Sequence, residues 1–347
     1  MTQSKIVNRK ITLAQRPKGA PLDTDFKLIE SEVPTPEKGQ VLLRTVFLSL
    51  DPYMRGRMND AESYAAPLKI GEVMTGGSVC RVEKSLNQNF QEGDLVMAFG
   101  GWQDYSISDG VGLLKLSNDM ANPSYALGIM GMPGFTAFMG LLDIGKPKKG
   151  ETVVVAGATG AVGSVVAQIA KIKGCKVVGI AGTEEKCNYA KEVLGVDSCV
   201  NHKSETFEKD LEQVCSDGID IYYENVGGKV FDAVMPLLNT SARIPLCGLI
   251  SQYNATSLPD GPDRISQLMG TILTKRIKVQ GFIVFDDYGH RYEEFATQMG
   301  TWLSEGKLNY KEDLVEGLEN TVEAFQGLLV GKNFGKLVVQ VGPLVLE

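Results

Sequence analysis

The sequence predicts an α/β fold in which a doubly wound parallel sheet is inserted in a β-rich domain. Three observations carry that expectation. The stretch Glu151-Thr-Val-Val-Val-Ala-Gly157-Ala-Thr-Gly160-Ala-Val-Gly163 joins a β-branched run to three glycines at intervals of three. Up to residue 126 short strand-like runs follow one another, whereas from there to 301 strand-like and helix-like stretches alternate. A last strand candidate at 336–341 closes the chain and is expected to return to the first domain. The predicted β-rich domain is therefore 1–126 with 302–347, and the inserted domain 127–301.

In the first domain the candidate strands are 11–15, 26–31, 41–50, 73–84, 95–99 and 102–108. Turn-forming clusters such as Pro34-Thr-Pro36-Glu-Lys-Gly39 separate them. In the inserted domain helices are expected at 125–140, 161–173, 184–194, 229–238 and 262–275. Between them lie strands at 152–155, 176–180, 198–200, 219–223, 243–247 and 277–285. The tail carries helix candidates at 292–305 and 321–329 ahead of its strand. Thr152 to Val155 has the composition of a strand buried on both faces. After the glycines the period changes, and Val162, Val165, Val166, Ile169 and Ile172 fall on one helix face.

A strand, a glycine turn and a helix make a place for a pyrophosphate. The turn lets backbone N–H groups approach the phosphates, and the helix start adds partial positive charge. The same turn can serve structure alone. The strand expected at 176–180 supplies the βαβ context that favours a dinucleotide site around Gly157, Gly160, Ala161, Val162 and Gly163. The end of that second strand decides which dinucleotide. An NAD site places an acidic residue there to hold the ribose hydroxyls. This chain reads Gly179-Ile-Ala-Gly182-Thr183-Glu-Glu-Lys186 instead. Thr183 and Lys186 can hold a 2′-phosphate that a carboxylate would repel, so the expected cofactor is NADP(H); the alternative is a surface lysine at 186. Glu184 and Glu185 are expected to face solvent on a first helical turn.

With 43% apolar and 22% charged residues the composition is that of an ordinary globular chain. A net charge of −7 speaks against nucleic-acid and anionic-membrane partners. No apolar run reaches a membrane span, and the polar start Met1-Thr-Gln-Ser-Lys does not resemble a signal peptide. Six cysteines without C-x-x-C spacing read as reduced thiols in a cytoplasmic protein.

Further motifs carry a family resemblance. Leu48-Ser-Leu-Asp51-Pro-Tyr53-Met-Arg-Gly-Arg57, Glu224-Asn225-Val-Gly-Gly228, Cys247-Gly-Leu-Ile-Ser-Gln-Tyr253-Asn and Asn333-Phe-Gly-Lys336 stand at separated points of the chain. Together with the glycine turn they resemble the zinc-independent medium-chain dehydrogenase/reductases. Within these, the similarity is to the NADPH-dependent alkenal, prostaglandin and leukotriene reductases and the bacterial curcumin reductases. The resemblance covers nearly the whole chain. It implies a Rossmann domain inserted in a GroES-like catalytic domain, and reduction of the C=C bond of α,β-unsaturated ketones or aldehydes, an oxidoreductase activity on CH–CH donors. It also implies cofactor contacts at His202, Asn225, Cys247, Gly248, Ile250, Tyr253, Phe282, Val284 and Asn333. His202 stands where the family carries a tyrosine, and a surface histidine is the other reading. Asn225 and Asn333 reach the ribose and carboxamide regions or serve as turn residues.

No metal site is expected. A catalytic zinc takes His and Cys from separated segments and a structural zinc takes closely spaced cysteines. The two histidines, His202 and His290, lie far from the 51–57 and 71–73 segments that hold ligands in the zinc branch, and Cys80 is the only cysteine in the first 174 residues. Hydride must then go to a carbon polarised by conjugation, with hydrogen-bond donors stabilising the enolate. The candidate donors are Tyr53, Tyr253 and Tyr64. Tyr53 alternatively packs its ring at a strand end, Tyr64 lines a pocket or has no role, and Arg55 and Arg57 read as solvated. Two other functions share the sequence features: a quinone oxidoreductase, and a non-catalytic NADPH-binding sensor or scaffold. The apolar stretch Ile277-Lys-Val-Gln-Gly-Phe282-Ile-Val-Phe285 is expected at a sheet edge, where pairing with its mate would build a homodimer.

Overall fold

The computed structural model of the chain describes residues 6–118, 120–257 and 264–344. Two compact units are present: Met1–Gly128 with Glu312–Asn333 and Leu337–Glu347, and Ile129–Lys311 with Phe334–Lys336. In chain order the first unit opens with β1 (Val7–Leu13), β2 (Phe26–Glu32), β3 (Val41–Ser49), helix α1 (Tyr53–Arg57), β4 (Ser78–Ser85), β5 (Leu95–Ala98), β6 (Tyr105–Ser108) and β7 (Leu114–Leu116). The second unit holds α2 (Met132–Met139), β8 (Thr152–Ala156), α3 (Gly163–Ile172), β9 (Lys176–Ala181), α4 (Glu184–Glu192), β10 (Ser198–Asn201) and α5 (Phe207–Val214). It continues through β11 (Ile219–Tyr223), α6 (Gly228–Val234), β12 (Leu238–Leu246), α7 (Ile265–Lys275), β13 (Lys278–Gly281), α8 (Val284–Tyr288) and α9 (Tyr292–Ser304). The tail adds β14 (Glu312–Glu316), α10 (Thr321–Leu329) and β15 (Lys336–Gln340).

In the first unit β14-β15-β3-β4-β5-β7 form one sheet, with β6 also on β3, and β1 pairs with β2 in a separate antiparallel hairpin. The tail strand β15 runs antiparallel to β3, Val338 facing Ser49 and Val339 facing Leu48. Burial of large rings holds this unit together. Trp102 stacks on Phe26 at 5.8 Å and meets Phe325 of α10 edge-on at 5.4 Å. Arg9 adds a two-pronged bond to Asp104 at 2.9 and 3.0 Å, the fork geometry that suits a carboxylate.

The second unit is a six-stranded sheet in the order β10-β9-β8-β11-β12-β13. Every pairing in it is parallel. The first strand of the unit is central, the order reverses beside it, and helices join successive strands, which is the doubly wound arrangement. All five residues of β8 are buried, as a strand covered on both faces requires. Helix α3 turns Val165, Val166 and Ile169 inward. Among the described residues no helix is long and apolar enough to cross a membrane.

Several expectations need correction. The apolar stretch 277–285 is not one strand: β13 ends at Gly281, and Val284 opens α8. The Asp287 carboxylate accepts the Ile283 N–H at 2.9 Å, a side-chain bond across the first turn of α8. The helix expected at 125–140 is a short 3₁₀ turn, Pro123–Leu127, followed by α2, which passes into a π-helical turn at Gly140–Gly145. Strand 73–84 starts only at Ser78, and β12 begins at Leu238, five residues earlier than expected. Helix α5 and the short strands β7 and β14 had no counterpart in the sequence reading. The expected helix start at Pro262 lies outside the described residues.

Candidate functional site

The glycine turn leaves the carboxyl end of β8. Gly157 takes φ 64°, in the left-handed region open to glycine, and its carbonyl accepts the Gly160 N–H at 2.9 Å. A Cβ on Gly163 would run into that same carbonyl oxygen, so the turn closes this tightly only with glycine there. Ala161 and Val162 are half-buried on the approach to α3, whose first turn is tied back by Ser164 N–H to Gly160 O at 3.0 Å. The turn is a backbone cradle at the start of a ten-residue helix, the geometry that suits a pyrophosphate.

At the end of β9, Gly182 leaves room beside the sheet. A Cβ there would stand 3.2 Å from His202 Nε2, so a larger side chain at 182 would crowd that imidazole. Thr183 caps α4, its hydroxyl accepting the Lys186 N–H at 3.2 Å. The Lys186 ammonium sits 6.0 Å from the Phe334 ring centre, and Lys311 lies over the same ring at 4.7 Å. Tyr189 meets Phe334 edge-on at 4.9 Å and completes the aromatic support. Glu184 is turned toward β10, where it accepts the Asn201 side-chain N–H at 3.0 Å, and Glu185 is exposed. His202 follows β10 and is half-buried. Burial, and then the Lys203 and Lys186 charges, hold its imidazole below the ordinary histidine range.

The ends of β11 and β12 are built around a buried carboxylate. Glu224 accepts the Val226 and Gly227 N–H groups at 2.6 and 2.9 Å, while burial pushes its pKa up against those bonds. It shapes the loop that carries Asn225, whose amide donates to the Ala156 carbonyl at 2.8 Å and ties the β11 end to β8. Cys247 is hydrogen-bonded to Tyr223, and burial pushes its thiol up to about 12, so it is no thiolate at neutral pH. Gly248 lies under the Tyr253 hydroxyl, which a Cβ there would approach to 3.0 Å. That hydroxyl accepts the Leu249 N–H at 3.3 Å across the single turn Ile250–Gln252. Phe282 and Val284 follow β13 with buried side chains; Phe282 packs against Gly140 and Tyr288. Residues 157–163, 182–186, 202, 225, 247–253 and 282–284 thus all stand at the carboxyl edge of one parallel sheet, where ligands of open α/β sheets bind.

In the first unit Tyr53 opens helix α1, not a strand end, and packs, partly buried, against the core cluster that contains Phe26, Trp102 and Phe325. Its hydroxyl is bonded to Thr75, and burial first, then the Asp51 charge, raises its pKa well above that of an ordinary phenol. Tyr53 therefore stays a neutral O–H throughout the working pH range. Tyr64 is 55% exposed and close enough to act on Tyr53 electrostatically. Arg55 is not solvated as expected, whereas Arg57 is only half-buried and its guanidinium bond lies exposed. Arg55 is buried and bonds the Asn59 side chain at 2.6 Å and the Gly19 carbonyl at 2.8 Å, while Arg57 donates to the Ala66 carbonyl at 2.7 Å. They pin the chain on either side of Tyr64. Asn333 stands two residues ahead of Gly335, which bridges to Gly160. Among the described residues no group of three or more His, Cys, Asp or Glu side chains is placed to hold a metal ion.

Residues 9–116 match the family model described as the N-terminal domain of oxidoreductase, and residues 161–304 the one described as zinc-binding dehydrogenase. The chain belongs to the medium-chain dehydrogenase/reductase family, on the branch that contains the NADPH-dependent curcumin, prostaglandin and 2-alkenal reductases. It is 60% identical to the NADPH-dependent curcumin reductase of Escherichia coli K12, over 98% of this chain and 99% of that one. Prostaglandin reductase 1 of Rattus norvegicus is 45% identical over 95% of this chain and 98% of its own. The crystal structure of CurA in complex with NADPH from Vibrio vulnificus superposes with a TM-score of 0.94 at 65% identity, covering 96% of this chain and 99% of that chain.

Proposed function

We propose that this chain is an NADPH-dependent reductase of the C=C bond of α,β-unsaturated ketones and aldehydes. The observation that carries the reading is the glycine cradle with an acid-free, lysine-bearing strand end, in a chain 60% identical to a curcumin reductase over nearly its whole length. When bound, NADPH supplies a hydride, which the β-carbon of the conjugated bond accepts. Gly157, Gly160 and Gly163 hold the pyrophosphate through their backbone, and Thr183 and Lys186 hold the 2′-phosphate. Asn225 and Asn333 orient the ribose and carboxamide regions. As the β-carbon gains the hydride, negative charge builds on the carbonyl oxygen of the substrate. A tyrosine O–H, from Tyr253 or Tyr53, donates to that oxygen and stabilises the enolate. The α-carbon then takes a proton from a weak acid or water. The rate of NADPH oxidation with an enone, with its saturated ketone and with a quinone separates the readings. Turnover of the enone with an inert saturated ketone is expected; turnover of the quinone alone would make the chain a quinone reductase.

We also propose that the protein is a homodimer. All four residues of the edge strand β13 are exposed, Val279 to 43%. Helix α7, which leads into it, exposes Ile265 (65%), Met269 (58%) and Leu273 (77%), spaced four apart on one face. An open strand edge next to an apolar helix stripe invites a partner, and a two-fold mate would continue the sheet and cover the stripe. Light scattering is expected to give about twice the mass of one chain at micromolar concentration. A mass near 37.6 kDa would contradict the dimer. The six cysteines are free thiols, which supports a cytoplasmic location.

A further inference from the structure

We propose that Cys187 of α4 and Cys199 of β10 form a dithiol that peroxides oxidise to a reversible disulfide, and that closing it weakens NADPH binding. The cross-link is independent of the proposed reaction, while its effect on NADPH rests on the assignment of that cofactor to this sheet edge. Parallel pairing sets Cys199 directly beside Gly179 of β9. Residue 179 has no side chain, and the Cys199 sulfur lies over the strand, 3.1 Å from where a Cβ would stand there. Helix α4 packs on β9 and β10 and brings Cys187 onto the same spot. The Cys187 N–H donates to the Thr183 carbonyl at 3.0 Å, which fixes the residue one turn past the helix cap. The two thiols are hydrogen-bonded to each other, and the Ala181 N–H also donates to the Cys187 sulfur. Both are free thiols, Cys187 1% exposed and Cys199 half-buried, so the pair is open to a small oxidant and closed to a bulky one.

The surroundings make the two sulfurs unequal. The bond received from Cys199 is the main reason that Cys187 lies below the ordinary thiol range; the Lys191 charge and the Ala181 N–H add to it, against burial and the Glu184 charge. The same bond, and then burial, holds Cys199 protonated above that range. Burial pushes Cys80, Cys175 and Cys215 up to about 11 and Cys247 up to about 12, so Cys187 is the thiol that ionises most readily. Its thiolate attacks one peroxide oxygen; an S–O bond forms, the O–O bond breaks, and the second oxygen leaves with a proton. The Cys199 sulfur then attacks the Cys187 sulfenic acid; the S–S bond forms, the S–O bond breaks, and hydroxide leaves as water with the Cys199 proton. With hydrogen peroxide the balance is two thiols oxidised to one disulfide and one peroxide reduced to two waters. A disulfide holds its sulfurs at about 2.05 Å, well inside hydrogen-bonding distance, so closure draws α4 toward β10. Lys186 directly precedes Cys187 on the helix and is displaced with it. In a reducing compartment such a disulfide is transient and opens again by exchange with thiols.

The full chain, freed of reductant, is treated with hydrogen peroxide, quenched with catalase, and alkylated after denaturation. Alkylatable thiols should fall by two from six and the intact mass by two hydrogens, and dithiothreitol should restore both. A tryptic digest without reductant should hold peptides 187–191 and 192–203 as one covalent species. Fluorescence titration of the oxidised chain should show NADPH affinity lower by about 3- to 10-fold, part of what losing a charge-assisted bond removes, with NADH affinity unchanged. Cys187→Ser and Cys199→Ser should each keep the NADPH affinity of the reduced wild type and lose its response to peroxide. The peptide map is made on the wild type, so a variant that fails to fold leaves it decisive. Six thiols after peroxide, oxidation that stops at sulfinic acid, or a different cysteine pair in the digest overturns the dithiol. The cross-link with unchanged NADPH affinity overturns the effect on binding. Equal affinity of the reduced wild type for NADH and NADPH would instead overturn the cofactor assignment on which that effect rests.

Discussion

Replacing Lys186 by alanine is expected to weaken NADPH binding about 10- to 100-fold while NADH binding changes little. A charge-assisted bond to a phosphate contributes about 1.5–3 kcal/mol, and each ~1.4 kcal/mol is a decade in affinity. Alanine is a strong helix former, and the Thr183 cap bonds the backbone N–H of residue 186, so α4 survives the change. The effect should be incomplete, because Lys311 lies over the same Phe334 ring and keeps a cation near the strand end. Fluorescence titration with both cofactors reads it directly. Equal losses for NADH and NADPH would show that Lys186 does not read the 2′-phosphate.

Removing the hydroxyl of Tyr253 or of Tyr53, each by phenylalanine, is expected to lower kcat with an enone by about 10²-fold at the residue that donates to the enolate oxygen. Phenylalanine keeps the ring, so packing is conserved: Tyr53 retains its place on the core, and Tyr253 gives up its contact with the Leu249 N–H. Because burial holds the Tyr53 phenol in its protonated form, the alkaline limb of the wild-type rate should not follow the ordinary tyrosine range. Steady-state kinetics of each variant, with kcat and KM resolved, decide between them. Wild-type turnover in both would assign the two tyrosines to packing and leave solvent as the proton source.

What the sequence made legible was local. The glycine turn, the buried run of β8 and the acid-free end of β9 each lie within a few consecutive residues, and their chemistry follows from residue type and spacing. The tail helix 321–329 was legible for the same reason, since its apolar positions repeat on one face. Long-range contacts decided the rest. Phe282 and Val284 read as strand residues, but Phe282 packs under Gly140, more than a hundred residues earlier, and α8 starts at Val284 with Asp287 bonded to the Ile283 N–H. Helix α5 buries only Phe207 and Leu211 among charged neighbours, too little apolar surface to stand out from a loop. Lys203 reaches Gly182 at the end of β9, and Lys311 reaches the Phe334 ring, from separate segments, and no motif marks either one. Arg55 looks like a surface cation beside Pro52 until Gly19 and Asn59 are folded onto it.

Hydride transfer to the β-carbon of an enone is the chemistry that the site residues are proposed to support, and isotopic labelling tests it most directly. The reaction is run with NADPH carrying deuterium at the transferred position of the nicotinamide, and the product is examined by NMR. Deuterium is predicted on the β-carbon of a saturated ketone or aldehyde, with the carbonyl group intact. Unlabelled NADPH in deuterated water should place the label on the α-carbon instead. Deuterium on the carbinol carbon of an allylic alcohol would contradict C=C reduction.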